Sequence, residues 1–209
     1  MSSKRTPSVV YWLGNRLYLN LTNRCSNNCY FCIRNFWNGV GGFNLRLERE
    51  PSAAEVISEL QEVINAESWG EIVFCGFGEP TERLDCLLEV TEWIRKYYGK
   101  PVSIRVDTNG QGYLLNSGRN VVEELRAAGV DEISVSLNAH DNKTYNRVCR
   151  PRFVEAYDNV LKFIVTAKGR FDVEVTAVAI PEADISRIRD LAHRLGTGFR
   201  IREYVPGFL

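Results

Sequence analysis

Short apolar runs alternate with longer amphipathic stretches along the whole chain, and few folds accept that order. Strands are predicted over 16–22, 71–75, 102–107, 132–137, 172–179 and 199–205. Helices are predicted over 52–66, 83–98, 118–128, 153–167 and 184–195. Ser52-x-x-Glu55 has the form of a capping box, and Gly129 and Gly196 stand where helices end. Repeated βα units imply parallel strands joined by right-handed crossovers. Six units of roughly 30 residues fill the chain, so residues 1–209 read as a single α/β domain with no linker. The order alone leaves a partial barrel and a doubly wound open sheet as alternatives.

The strands carry a second constraint. A parallel strand covered on both faces reads as a continuous hydrophobic run. Here Ser103, Arg105 and Asp107 alternate with Val102, Ile104 and Val106, and Ser134, Ser136 and Asn138 with Ile133, Val135 and Leu137. Glu174, Thr176, Arg200 and Arg202 continue the pattern. Period two puts each polar set on one face. If helices cover the apolar face, the polar face lines an interior chamber. Arg105, Arg200 and Arg202 on that face suggest an anionic group on whatever enters.

After the first of these strands come Cys25, Cys29 and Cys32, spaced C-x3-C-x2-C with Phe31 before the last. Three thiols in one loop cannot all pair as disulfides. They can converge on a soft-ligand metal: zinc, Cu(I) or an iron–sulfur cluster. No Cys or His nearby supplies a fourth ligand; the next candidate is Cys75. On a four-iron cluster, three ligands leave one iron open.

The motif resembles the signature of the radical S-adenosylmethionine (radical SAM) superfamily. The resemblance implies a partial (β/α)6 barrel resembling part of a TIM barrel, with Cys25, Cys29 and Cys32 holding a 4Fe–4S cluster. The open iron would chelate S-adenosylmethionine, whose reductive cleavage yields a 5′-deoxyadenosyl radical that abstracts hydrogen from a substrate. It also implies an external electron donor such as flavodoxin or ferredoxin.

Other positions match the family residue by residue. Gly76-Phe77-Gly78-Glu79-Pro80 resembles its Gly-Gly-Glu-Pro turn, which binds the cofactor's amino group, at a strand C-terminus where barrel active sites sit. Asn109 lies in Thr108-Asn109-Gly110, which resembles the Thr-Asn-Gly end of the family's third strand, where it borders the cofactor. Ser136, and after it Asn138, match a small polar residue contacting the cofactor's ribose or carboxylate. Phe31 would pack on the adenine, and Arg150 would pair with the cofactor carboxylate. His140 reads as a helix cap and His193 as a surface residue. Cys75, Cys86 and Cys149 read as buried small hydrophobes.

Residues 34–50 are long for a loop insertion after a cluster, and mix Phe36, Trp37 and Phe43 with Gly39, Gly41 and Gly42. They suggest a lid anchored by Trp37 and Phe43. With Cys-Gly-Phe-Gly-Glu-Pro-Thr, this segment looks most like the TatD-associated radical SAM subgroup, whose name implies a functional link to a TatD-type nuclease. Other activities that suit the chain's size are those of glycyl-radical activases and 7-carboxy-7-deazaguanine synthases. A non-catalytic iron–sulfur or zinc protein partnering a nuclease is the third reading.

Charge limits the partners. Lys plus Arg and Asp plus Glu number 26 each, so no global field draws in nucleic acid or an acidic membrane. Tight duplex binding is not expected, and a small molecule or a protein segment is favoured as substrate. The apolar patch after the polar, basic residues 1–7 is interrupted by Asn15 and Arg16, too short for a signal or a spanning helix. Six cysteines held reduced fit a cytoplasmic protein.

Overall fold

A computed structural model describes residues 6–98 and 101–205; the ends of the basic N-terminal segment and of the chain lie outside the described residues. The polypeptide opens with a hairpin. Strand β1 (Val10–Leu13) turns at Gly14-Asn15 and pairs antiparallel with β2 (Arg16–Leu19). Gly14 takes a φ of 60°, the left-handed conformation a two-residue hairpin turn requires. The apolar patch before Arg16 is therefore an edge strand. Gly14-Asn15 was the turn signal for it.

The chain then makes a 3-10 turn at Ile33–Asn35 and a small hairpin of β3 (Gly39–Val40) and β4 (Phe43–Asn44). After it the alternation is regular. It runs α1 (Ala53–Val63), β5 (Glu71–Phe74), α2 (Leu84–Tyr97), β6 (Ser103–Thr108), α3 (Gly112–Leu115) and α4 (Val121–Ala128). It continues with β7 (Glu132–Ser136), α5 (Asn142–Cys149), α6 (Ala156–Lys168), β8 (Asp172–Val178), α7 (Ile185–Leu195) and β9 (Gly198–Arg202). Ser52 and Glu55 form the reciprocal capping box at α1, and Gly129 and Gly196 end α4 and α7 with positive φ. Helices α3 and α5 are additions to the predicted set. At α5, Asp141 accepts from the Thr144 N–H at 2.8 Å, so Asp141 is the cap and His140 is not.

Sheet order is β1-β2-β5-β6-β7-β8-β9, with every pair after the first parallel. Chain order equals spatial order. A doubly wound sheet reverses direction partway, so that alternative is set aside. Right-handed crossovers that always step the same way keep the helices on one side. Ile104, Val106, Ile133, Val135, Val173 and Val175 on that side are buried and join one core with Leu87, Val90, Leu125 and Phe163 from the helices. The other side carries Arg16, Tyr18, Arg105, Asp107, Ser134, Ser136, Glu174 and Thr176, and lines a cavity. The fold is thus the α/β, mostly parallel arrangement of a partial barrel, with an antiparallel strand added at one edge. Among the described residues, no helix is long and apolar enough to cross a membrane.

Residues 34–50 do not stand free as a lid. Phe43 packs on β1, its ring 4.9 Å from Trp12 and 5.8 Å from Tyr11. Tyr11, Leu45 and Phe77 form a second small core beneath the hairpin. Apolar contact with the edge strand outweighs the flexibility the glycines suggested. Trp37 stays exposed.

Candidate active site

The loop after β2 carries the three thiols, and its backbone is sewn to a distant segment. The Asn28 N–H donates to the Cys149 carbonyl at 3.0 Å, and the Arg152 N–H to the Ser26 carbonyl at 2.8 Å. Beneath the loop lies a buried polar triad. Gln111 Nε2 donates to Asn27 Oδ1 at 2.7 Å and to the Tyr145 hydroxyl at 2.9 Å, and Asn27 Nδ2 reaches the same hydroxyl at 3.1 Å. A buried, mutually bonded network of this kind fixes one arrangement of the loop. Sequence reasoning missed all three residues. The available signal was the Asp141-x-x-Thr144 cap followed by Tyr145, Val148 and Cys149 at helical spacing.

Cys25, Cys29 and Cys32 all face the cavity, whose volume is about 640 Å³, and none is in a disulfide. N–H donors point at two of the sulfurs. Cys25 Sγ receives the Asn27 backbone N–H at 3.4 Å and Asn109 Nδ2 at 3.6 Å, and Cys32 Sγ receives Arg34 Nε at 3.3 Å. Burial, with Glu79 nearby, pushes the Cys25 thiol up to about 12. The Cys29 thiol is raised first by its hydrogen bond with Cys149 and then by burial. Cys149 is buried as expected, but it also stands beside a motif thiol, which its place in the sequence did not suggest.

Across the cavity mouth, Glu79 ties two strand ends together. Its carboxylate accepts from the Thr108 hydroxyl at 2.7 Å, the Asn109 N–H at 2.6 Å, the Thr81 hydroxyl at 2.7 Å and the Thr81 N–H at 3.2 Å. Burial raises its carboxyl above the usual range while these bonds work against the rise. Asn109 passes the connection on, donating to Ser26 Oγ at 2.9 Å. The preceding glycines serve packing within the chain. A Cβ on Gly76 would collide with the Asn20 side chain, and one on Gly78 with the Thr22 and Arg24 carbonyls. The Gly-Phe-Gly turn therefore lies hard against the start of the cysteine loop.

The remaining predicted residues divide. Phe31, Gly76, Gly78, Glu79, Asn109, Ser136 and Asn138 line the same cavity as the thiols. Asn138, at φ 60°, spends its Oδ1 on the Val178 N–H at 3.0 Å. Ser136 Oγ accepts from Arg202 Nη2 at 3.0 Å. Arg150 is not among the lining residues. It caps α5 in the left-handed conformation, exposed, with its guanidinium over the Tyr30 ring at 5.9 Å. His140 pairs with Asp141 at 2.7 Å outside the cavity, and His193 is exposed. Arg105 and Arg200 do not await an anion, because both already pair with carboxylates of the chain, Arg105 with Glu71 and Asp107 and the exposed Arg200 with Glu174.

These residues suit an iron–sulfur cluster. Three unpaired thiols share one cavity wall, and N–H donors face the sulfurs, the outer contacts that tune such clusters. Among the described residues, no three His, Cys, Asp or Glu side chains gather around one point as a single metal ion would need. Cluster ligands instead attach to different irons. Thiolates are the form that binds, so loading displaces the protons that the raised Cys25 and Cys29 thiols hold.

Comparison with known proteins agrees. Residues 19–195 match the model of the radical SAM superfamily. Among curated proteins, a probable GTP 3′,8-cyclase of Thermoplasma volcanium is 27% identical over 181 residues, 86% of this chain and 49% of its own length. That of Methanocaldococcus jannaschii is 26% identical over 191 residues, 91% of this chain and 59% of its own. The chain thus spans half to three-fifths of these relatives. Among solved structures, Streptococcus suis SuiB bound to S-adenosylmethionine aligns with a TM-score of 0.68 at 17% identity, over 90% of this chain and 40% of that one. TYW1 with a lysine-pyruvate adduct aligns at 0.62 and 17% identity, over 93% of this chain and 66% of that one.

Proposed function

The chain belongs to the radical SAM superfamily, and on that premise we propose that it is an enzyme in which Cys25, Cys29 and Cys32 hold a 4Fe–4S cluster. When bound, this cluster and S-adenosylmethionine supply a 5′-deoxyadenosyl radical for hydrogen abstraction, given an electron from a donor of the flavodoxin or ferredoxin class. The observation that carries the reading is the convergence of the three thiols and the Glu79–Asn109 tie on one polar chamber.

The chain's own residues have distinct tasks in this reading. Asn27, Asn109 and Arg34 donate to the ligand sulfurs and favour their thiolate form. The Gly76–Glu79 turn, Asn109, Ser136 and Asn138 present backbone and side-chain polar groups to S-adenosylmethionine, and Phe31 offers an apolar face to its adenine. Glu79 acts mainly by holding the turn against β6, since four donors occupy its carboxylate. Arg150 would reach the chamber only by leaving Tyr30.

The substrate is a small molecule or a protein segment. The matched region is only half to three-fifths of the named cyclases' length, so GTP cyclisation is not carried over with their similarity. The aromatic and glycine-rich 34–50 segment supports placement in the TatD-associated subgroup, with a functional link to a TatD-type nuclease.

Anaerobic reconstitution followed by iron counting, electron paramagnetic resonance and assay of 5′-deoxyadenosine tests the proposal. About four irons per chain in the wild type and none in the triple Cys25/Cys29/Cys32→Ala variant are expected from one 4Fe–4S cluster. Zinc alone in the wild type, or unchanged iron in the variant, would overturn it.

A further inference from the structure

Charge in the chamber is distributed by height. Toward the strand N-termini, Arg105 pairs with Glu71 and Asp107 at 2.9 Å each, and Arg16 with Glu71 at 3.1 Å. Beyond β7 around the wall, Arg200 on β9 pairs with Glu174 on β8 at 2.6 Å. Arg34, near the cysteines, spends its donors on the Asn23 and Asn27 carbonyls and Cys32 Sγ. Each of these guanidinium groups is already answered.

Arg202 is different. It is the last residue of β9, paired in register with Val178 at the C-terminal end of β8. Its Nη2 reaches across β8 to Ser136 Oγ at 3.0 Å. Its Nε is buried with no hydrogen-bond partner, and among the described residues no carboxylate forms an ion pair with it. Glu203 also borders the chamber but is exposed. The Arg202 charge is felt at the Cys29 and Cys75 thiols, where it opposes their rise. A buried N–H donor left without an acceptor is costly and marks a place for one.

We propose that Arg202, with the Ser136 hydroxyl, receives an oxyanionic group, a carboxylate or a phosphate, of a ligand held in the chamber. This rests on reading the chamber as the cofactor and substrate pocket. A guanidinium presents adjacent N–H groups that match two oxygens of one anion. Ser136 accepts from Nη2 and keeps its own proton to donate, so the pair offers three donors from two strands. The oxyanion has two sources, the carboxylate of S-adenosylmethionine or a group on the substrate.

Equilibrium dialysis with radiolabelled inorganic phosphate, on anaerobically reconstituted full-length protein, tests the site, with acetate as competitor. Wild-type protein is expected to bind phosphate. Arg202→Gln should weaken binding by about tenfold or more, equivalent to about 1.4 kcal/mol, at unchanged iron content and circular dichroism. Arg202→Lys, which keeps charge but loses the fork, should fall between. Arg200→Gln should bind as wild type. Saturating S-adenosylmethionine then separates the sources: displacement of phosphate assigns the oxyanion to the cofactor, and continued binding assigns it to the substrate. Failure of the wild type to bind, or equal binding by Arg202→Gln, overturns the proposal. Iron content reports separately on the cluster reading.

Discussion

The floor and the rim of the chamber are built from the same polar residue types and treat them in opposite ways. On the floor, Arg16, Arg105, Glu71 and Asp107 neutralise one another, so the charge is internal. At the rim, polar groups either lock the strand ends, as Glu79 and Asn138 do, or keep capacity, as the three thiols and Arg202 do. The difference teaches that polarity facing a cavity is not itself a binding signal. Unspent hydrogen-bonding capacity is, because a ligand gains only from groups that lack partners in its absence.

Three substitutions sharpen or break this contrast. The largest effect is expected at the rim. Glu79→Ala strands the Thr81, Thr108 and Asn109 donors and should cost about 3 kcal/mol in urea unfolding of the metal-free protein. An unchanged midpoint would mean that the carboxylate is not a structural tie and is free for ligand, which erases the division drawn here.

A smaller loss is expected on the floor. Arg105→Met leaves Glu71 with Arg16 alone and Asp107 without its cation, and should cost about 2 kcal/mol at neutral pH. Burial already raises the Glu71 carboxyl, with Arg105 and Arg16 opposing the rise. Without Arg105 the folded value climbs further above the unfolded one. A raised folded value gives stability at low pH that is lost as pH rises through it. The gap between wild type and variant should therefore narrow as pH falls below about 5, into the range of ordinary carboxylates. A gap independent of pH would show that the floor is not an electrostatic unit.

The smallest effect is expected at the Ser136–Arg202 contact. Ser136→Ala removes one hydrogen bond from Arg202 and should change stability by about 1 kcal/mol or less. Calorimetric titration of the reconstituted protein should nevertheless show weaker S-adenosylmethionine binding. Wild-type affinity in this variant would remove Ser136 from the cofactor's contacts.

Much of this arrangement was legible in the sequence, for identifiable reasons. Period-two alternation in residues 102–107 and 132–137 placed the chamber correctly, because side-chain direction in a strand depends only on parity. The capping box at Ser52 was local and survived folding. What the sequence hid was pairing at a distance. Nothing near Arg105 or Arg200 indicates that Glu71 and Glu174 neutralise them, whereas Arg202, two residues on, stays unpaired. Gly76 and Gly78 line the chamber, but nothing local showed that their missing side chains also make way for Asn20 and for the Thr22 and Arg24 carbonyls. Helix α5 escaped notice because its few apolar positions, Tyr145, Val148 and Cys149, face the cysteine loop. The first hairpin was passed over because its apolar run is short, although Gly14-Asn15 announced the turn.

The stitching of the cysteine loop has a consequence for the order of events in synthesis. The loop's partners are far away in the chain, Tyr145 lying 118 positions after Asn27. Contacts that distant form late, since the intervening segment must first be placed. A ribosome delivers the N-terminal residues first, so the three thiols emerge well before α5 exists to hold them. Until then they are three solvent-facing sulfurs on an unfinished chain, open to oxidation or to stray metal ions. Loading with iron is therefore expected to follow completion of the sheet, and a nascent chain stalled before Tyr145 should retain no cluster.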